Sequence, residues 1–146
     1  ALLISMLAIG DIFARTVQVT VEGALNCSRP FHHRIFTWEI DGFYHAEIGR
    51  HVDMGNSSFH TYISSGTAND WWPEQYVEPV MVLWHNCDAP RKGQCFCKEL
   101  GDIWQDVHVK VDLNLDHYDN YSSEFQPCLD DIGCSAATEM GAGYGF

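Results

Sequence analysis

Histidines and cysteines are the side chains of this sequence with the widest chemical reach. Eight histidines (His32, His33, His45, His51, His60, His85, His108, His117) could in principle ligate a metal. Sites readable from sequence place histidines at i, i+4 or another short spacing, because one helix or turn must present them together. Here they are scattered over separate predicted strands. The expectation is therefore surface or hydrogen-bonded histidines, with no metal and no cofactor, although distant strands could still bring three together. His85 lies in an apolar run beside Cys87, where a structural hydrogen bond is the expected role.

The six cysteines (Cys27, Cys87, Cys95, Cys97, Cys128, Cys134) are an even number in a small chain, which reads as a disulfide framework. Neither the C-x-C at Cys95 nor the interval from Cys128 to Cys134 has the spacing of a zinc finger. In a strand, Cys95 and Cys97 would project from the same face. The expected pairing joins Cys87 to one of these two around a turn at Asp88 to Gly93. Cys27 is then expected to reach the tail at Cys128, leaving Cys134 for the remaining strand cysteine. Six cysteines allow more pairings than sequence can choose among.

Catalytic patterns are missing from the sequence: it has no G-x-S-x-G elbow, no H-E-x-x-H, no P-loop and no dinucleotide fingerprint. The carboxylates at Asp116 to Asp119 and at Asp130-Asp131 read as a solvated face rather than a calcium site. The chain is therefore not expected to be an enzyme. Trp71-Trp72-Pro73 falls in a predicted loop, with Tyr76 close behind. Adjacent tryptophans in a loop are costly to expose unless they are covered or used in recognition. Trp71, Trp72 and Tyr76 are thus the expected partner-binding residues, whereas Trp38 and Trp84 lie in strands and are expected in the core.

The elements that must position these groups are strands. Val17, Val19 and Val21 alternate with polar residues, the signature of a half-buried strand. Phe31 to Ile40 is rich in β-branched and aromatic residues, with Ile35 and Thr37 on one face and Phe36 and Trp38 on the other. Further strands are expected at Ala46 to Val52 and Phe59 to Ser64, around turn residues Asp53 to Asn56. Val77 to Cys87 reads as a central strand buried on both sides, and Gln94 to Leu100 could pair with it. Val107 to Leu115 is the cleanest alternation, with His108, Lys110, Asp112 and Asn114 facing away from the valines and leucines. No stretch beyond the first residues has a helical period. The fold class expected from the strands alone is all-β, an immunoglobulin-like sandwich.

Twenty acidic against eight basic residues give a formal net charge of -12, which disfavours nucleic acid and a simple electrostatic grip on anionic lipid. The apolar run in residues 1–14 is shorter than the roughly 20 residues a membrane span needs. It has the length of a signal-peptide core, and Ala14 before Arg15 suits cleavage. The expected organisation is a signal-peptide remnant at 1–14, a sandwich at 15–115, and an acidic then Gly-rich tail at 116–146 whose first half the cysteines pin to the body. Three glycosylation sequons begin at Asn26, Asn56 and Asn120. Together these features predict a secreted glycoprotein.

Several segments resemble the nematode transthyretin-like family of secreted proteins. They are Val17 to Cys27, an opening strand of alternating valines that ends in a cysteine, and Glu78-Pro79 through Leu83-Trp84-His85-Asn86-Cys87, with Cys95 or Cys97 beyond. Asp53, Gly55 and Phe59 resemble the family's D-x-x-G-x-F turn with one residue more, and Ser65-Gly66 and Val107 to Leu115 fit its later elements. The resemblance spans roughly Val17 to Leu115, and its most specific part is the His-x-Cys element. It implies a seven-stranded transthyretin-like sandwich, extracellular and non-enzymatic, that carries or bridges lipids, small ligands or cell-surface proteins. The functional expectation is a secreted binding protein whose partner is an extracellular ligand or protein, self-association included. The alternative is a structural subunit of an extracellular polymer or matrix, assembled by strand addition through the N-terminal segment or the tail.

Overall fold

The computed structural model describes residues 14–40, 45–53, 55–71, 76–88 and 93–128. Its nine strands are β1 (Ala14–Phe31), β2 (His33–Ile40), β3 (His45–Val52), β4 (Ser57–Trp71), β5 (Pro79–His85), β6 (Gln94–Glu99), β7 (Val107–Lys110), β8 (Leu113–Asn114) and β9 (Gln126–Pro127). They form two sheets. One runs β4-β1-β7 with β8 also on β1, and the other runs β3-β2-β5-β6-β9. The described residues contain no α-helix. An all-β, two-sheet fold is thus as expected. Its strand order is not the immunoglobulin one, in which the first, second, fifth and fourth strands share a sheet. Here the first strand has moved to the sheet opposite the second and fifth.

Alternation explains which side chains meet between the sheets. Val17, Val19, Val21, Leu25 and Cys27 of β1 are buried, as is every second residue of β4 from His60 to Ser64. From the other sheet, Ile35, Met81, Leu83 and Phe96 close the main core. The predicted central strand is central: β5 pairs with both β2 and β6, and nearly all of it is buried. Its outer face, Val82 and Trp84, packs with Phe36, Trp38, Cys95, Cys97 and Cys128 in a second cluster. Trp38 and Trp84 therefore lie in the outer layer rather than between the sheets. At one side β3 and β4 come close enough that a Cβ at Gly66 would run into the Ile48 carbonyl, so this position requires glycine.

The valine-rich run at 107–115 lies parallel to β1 at a constant offset, Val19 opposite Val107 and Leu25 opposite Leu113. It is interrupted at Val111-Asp112, although Val111 N–H still donates to the Glu22 carbonyl at 2.9 Å, and aspartate side chains add to the ladder along its length. Asp106, Asp112 and Asp116 accept the N–H groups of Gln18, Ala24 and Ser28 at 2.8, 2.9 and 2.7 Å. The Ser28 hydrogen bonds hold the Asp116 carboxyl below its ordinary pKa. Folded structure continues beyond 115. Tyr121 and Phe125 are fully buried, and Tyr118 donates to the Phe125 carbonyl at 2.9 Å, so these side chains anchor an otherwise largely exposed segment in the core.

Two disulfides fix this arrangement, and neither is an expected pair. Cys27 bonds Cys87, tying β1 to the end of β5 across the sandwich with Cα atoms 6.1 Å apart. Cys97 bonds Cys128, tying β6 to the segment that carries β9. The parity of the strands is the reason. Cys95 and Cys97 do share a face, but it is the outer face of Trp84 and Val82, whereas Cys87 turns inward beside Cys27. Cys95 is also disulfide-bonded. Cys134 lies outside the described residues, as do residues 1–13.

Candidate functional site

The strands leave two concentrations of unusual side chains at opposite ends of the sandwich. At the end where β1 begins and β4 finishes, an isolated bridge holds Val77 to Ile103, with hydrogen bonds of 2.9 and 2.8 Å. Flanking it, Tyr76 packs on Trp104 with ring centroids 5.4 Å apart. Trp104 is 53% exposed, one of the few large apolar side chains so placed. Of the residues expected to bind a partner, Tyr76 is therefore half-buried beside an exposed tryptophan. Trp71 closes β4 opposite Ala14, but its side chain, and all of Trp72, lie outside the described residues. Trp104 carries no separate signal in the sequence, since it stands outside any strand or aromatic pair there.

At the opposite end two chain junctions and the inward end of a bulged strand converge. One residue, His32, separates β1 from β2, so the chain crosses between sheets immediately before His33. Between β2 and β3 the register shifts by one, leaving Ile48 unpaired in a β-bulge. The extra residue reverses the parity of the rest of β3, which turns His51 and then Asp53 to the buried side. Asp53 N–H donates to the His33 carbonyl at 3.2 Å, while its Oδ1 accepts from Gly55 N–H at 2.7 Å in an Asx turn leading to β4. His60 enters from the inward face of β4, its ring edge-on to Phe31 at 4.5 Å.

The result is a buried cluster. His33, Asp53 and His60 are 0%, 7% and 9% exposed. His60 Nδ1 is 3.3 Å from Asp53 Oδ1, and His33 Nδ1 is 4.0 Å from Asp53 Oδ2. The His33 ring stacks on His51 at 5.3 Å and meets His60 edge-on at 4.8 Å. His32, with 29% of its side chain exposed, places its buried Nδ1 3.4 Å from Asp53 Oδ2. Both ring nitrogens of His33 and Oδ2 of Asp53 are buried with no hydrogen-bond partner among the described residues. Burial, and after it the neighbouring His60, pushes His33 down to about 3, so its ring is neutral at physiological pH. Burial lowers His51 as well, against the opposing pull of Asp53. Histidines scattered in sequence are thus not scattered in space. Their separation along the chain (33, 51, 60) hides strand ends that only the topology joins.

The other expected sites fall elsewhere. His85 has the structural role expected: Cys87 N–H donates to its Nδ1 at 3.1 Å and its Nε2 faces the Tyr121 hydroxyl at 3.0 Å, while burial holds it down at about 4. Cys27, Cys87 and Asp116 also gather closely, but both sulfurs are consumed by their disulfide. Asn26, Asn56 and Asn120, which open the sequons, are all exposed. Asp130 and Asp131 lie outside the described residues. No protein-family model matches the chain, and no curated protein is similar to it.

Proposed function

We propose that this chain is a secreted, non-enzymatic binding protein on a transthyretin-like sandwich, engaging an extracellular ligand or protein through its aromatic end. The observation that carries this reading is Trp104, more than half exposed and braced by Tyr76 on a hydrogen-bonded bridge. Rigid aromatics with little rotamer freedom lose little entropy on contact, which is why they anchor interfaces. Trp71 ends its strand at the same end. Disulfides in the frame favour an oxidising, extracellular setting, and exposed asparagines in the sequons suit glycosylation. Support for the transthyretin-like form comes from the resemblance along Val17 to Leu115, together with two sheets whose order is not the immunoglobulin one. No described helix is long and apolar enough to cross a membrane.

The test compares wild type with a Tyr76→Ala/Trp104→Ala double variant. The probes are a fluorescent fatty acid and zwitterionic phospholipid vesicles, since the acidic chain would be repelled by anionic ones. Wild type is expected to bind at least one at micromolar concentration. The variant should weaken that binding about tenfold or more, roughly 1.4 kcal/mol, with its melting temperature nearly unchanged. A variant that binds as well as wild type places recognition elsewhere, and a collapsed melting temperature makes the pair structural. A second reading, a subunit of an extracellular polymer, is favoured by Phe59 and Ile63, which stand 57% and 56% exposed on edge strand β4. Concentration-dependent growth in light scattering, abolished by Ile63→Lys, would select it.

A further inference from the structure

We propose that His33, Asp53 and His60 form a three-ligand site for a divalent transition-metal ion of the zinc class, with its fourth position open toward His32. The site is distinct from the aromatic end and does not depend on what that end binds.

The proton on His60 can be placed from its surroundings. Its Nε2 faces two carbonyl oxygens, that of Phe31 at 3.1 Å and that of Ser57 at 2.8 Å. Carbonyls only accept, so Nε2 carries the hydrogen, and Nδ1 of a singly protonated ring presents its lone pair. That lone pair points at Asp53 Oδ1, itself an acceptor, across 3.3 Å. Two acceptors that close repel unless a positive charge stands between them. Oδ1 already receives the Gly55 N–H, and Oδ2 has no hydrogen-bond partner among the described residues. His33 adds one further lone pair and one N–H, since both of its nitrogens are buried and without hydrogen bonds among the described residues. Burying a polar group unpaired costs the free energy of its lost hydration, and here several converge.

A metal ion would take up the lone pairs of His60 Nδ1, of Asp53 and of one His33 nitrogen together. The ligand atoms of the three residues lie within 4.8 Å of one another. Metal–nitrogen and metal–oxygen bonds of about 2.0–2.1 Å put tetrahedral ligands roughly 3.3–3.4 Å apart. The 3.3 Å from His60 Nδ1 to Asp53 Oδ1 matches that edge, while His33 Nδ1 lies 4.0 Å from the other oxygen, Oδ2, so a small rotation of the carboxylate or of the His33 ring completes the set. The outer hydrogen bonds are also those a metal-binding histidine needs, since a ligating ring is oriented by donating its other N–H to a carbonyl or carboxylate. His60 does this through Nε2. Two imidazoles and one carboxylate suit zinc, cobalt, nickel or copper and suit calcium poorly, because calcium demands six or more oxygens. Three protein ligands with an open position describe a site that can exchange a ligand, as opposed to a closed structural one. Neutrality of His33 at physiological pH keeps its lone pair available.

The alternative is a second proton on His60, making an ion pair with Asp53, and the experiment separates the two. Chelator-stripped protein, disulfides intact, is titrated with Co²⁺ while visible absorption is recorded, then with Zn²⁺ in competition, with Ca²⁺ as a control. The expected result is one cobalt per chain, the intense bands of a four-coordinate ion, displacement by zinc, no effect of calcium, and a higher melting temperature with zinc. His60→Ala and Asp53→Asn should each weaken zinc binding a hundredfold or more, while His108→Ala, on the exposed face of β7, should leave it unchanged. Weak bands typical of six-coordinate cobalt, or zinc binding unaltered by either variant, would overturn the proposal. Should a variant not fold, histidine side-chain ¹⁵N spectra of wild type decide. Stoichiometric zinc must move the ring nitrogens of His33 and His60 and leave those of His85 in place. A His60 ring that stays doubly protonated with zinc present contradicts the site.

Discussion

The two ends of this sandwich use opposite chemistry. At the histidine end, polar rings and a carboxylate are packed out of water where β1, β2, β3 and β4 turn. At the aromatic end, apolar rings are left in water on a short bridge between Val77 and Ile103. Each is a departure from the rule that apolar groups are buried and buried polar groups are paired. A frame of ordinary alternating strands thus sets its exceptions at chain junctions, where ladder hydrogen bonds end and side chains are freed from the pleat. The two ends should therefore respond differently to perturbation.

The largest difference is expected on removal of the Cys27–Cys87 bridge, which lies nearer the histidine end. The cross-link spans 60 residues, and loop closure over that length contributes on the order of 4 kcal/mol. A Cys27→Ala/Cys87→Ala variant should lose about that much in denaturant unfolding. Its histidine side-chain resonances should broaden, while the fluorescence of Trp104 changes little below the transition. Equal disturbance of both ends would mean that they are not independent.

Acid comes next. His33 and His85 are held at about 3 and about 4 by burial, whereas an unfolded histidine titrates near 6.5. Between those values the unfolded chain carries protons that the folded chain does not, so stability rises with pH and is lost on acidification. The expected slope for metal-free protein is about 1.4 kcal/mol per pH unit for each ring. It begins below pH 6.5 and levels off near the folded values. Unfolding midpoints measured from pH 7 to pH 4 check this. A flat profile would mean that these rings are open to water.

Much of the frame is legible in the sequence, while the disulfide pairing and the histidine cluster are not. The alternation of Val17, Val19 and Val21 and of Val107 to Leu115 fixes which side chains point inward, because a pleat leaves no other option. The unbroken apolar run before Cys87 fixes the central position of β5. Parity alone does not say which sheet a strand joins. The expected hairpin disulfide fails for that reason: Cys95 and Cys97 face outward while Cys87 faces the opposite sheet. The histidine cluster is hidden twice over. It draws on three strands, and the bulge at Ile48 reverses the parity that would have kept His51 and Asp53 outside. Burial of Tyr121 and Phe125 leaves no trace in the sequence because their segment has no period, only two aromatic anchors in an acidic stretch.

Smaller effects are expected at exposed positions. Trp104→Phe should change stability by under about 1 kcal/mol, as expected of an exposed position, yet measurably lower the acrylamide-quenchable fluorescence. If quenching is unchanged, the accessible tryptophan is a different one. Smallest of all should be His108→Ala, which breaks an exposed 3.1 Å pair with Glu22. Surface pairs contribute at most about 1 kcal/mol, and a greater loss would give β7 a role that neither end explains.

Both ends exist only if β1 crosses to face β5, and non-reducing peptide mapping reads that crossing directly. Digestion of the native protein should release Cys27 linked to Cys87 and Cys97 linked to Cys128. Recovery of Cys87 joined to Cys95 or Cys97, or of Cys27 joined to Cys128, would mean that the sheets are assembled differently and that neither cluster has the neighbours described for it.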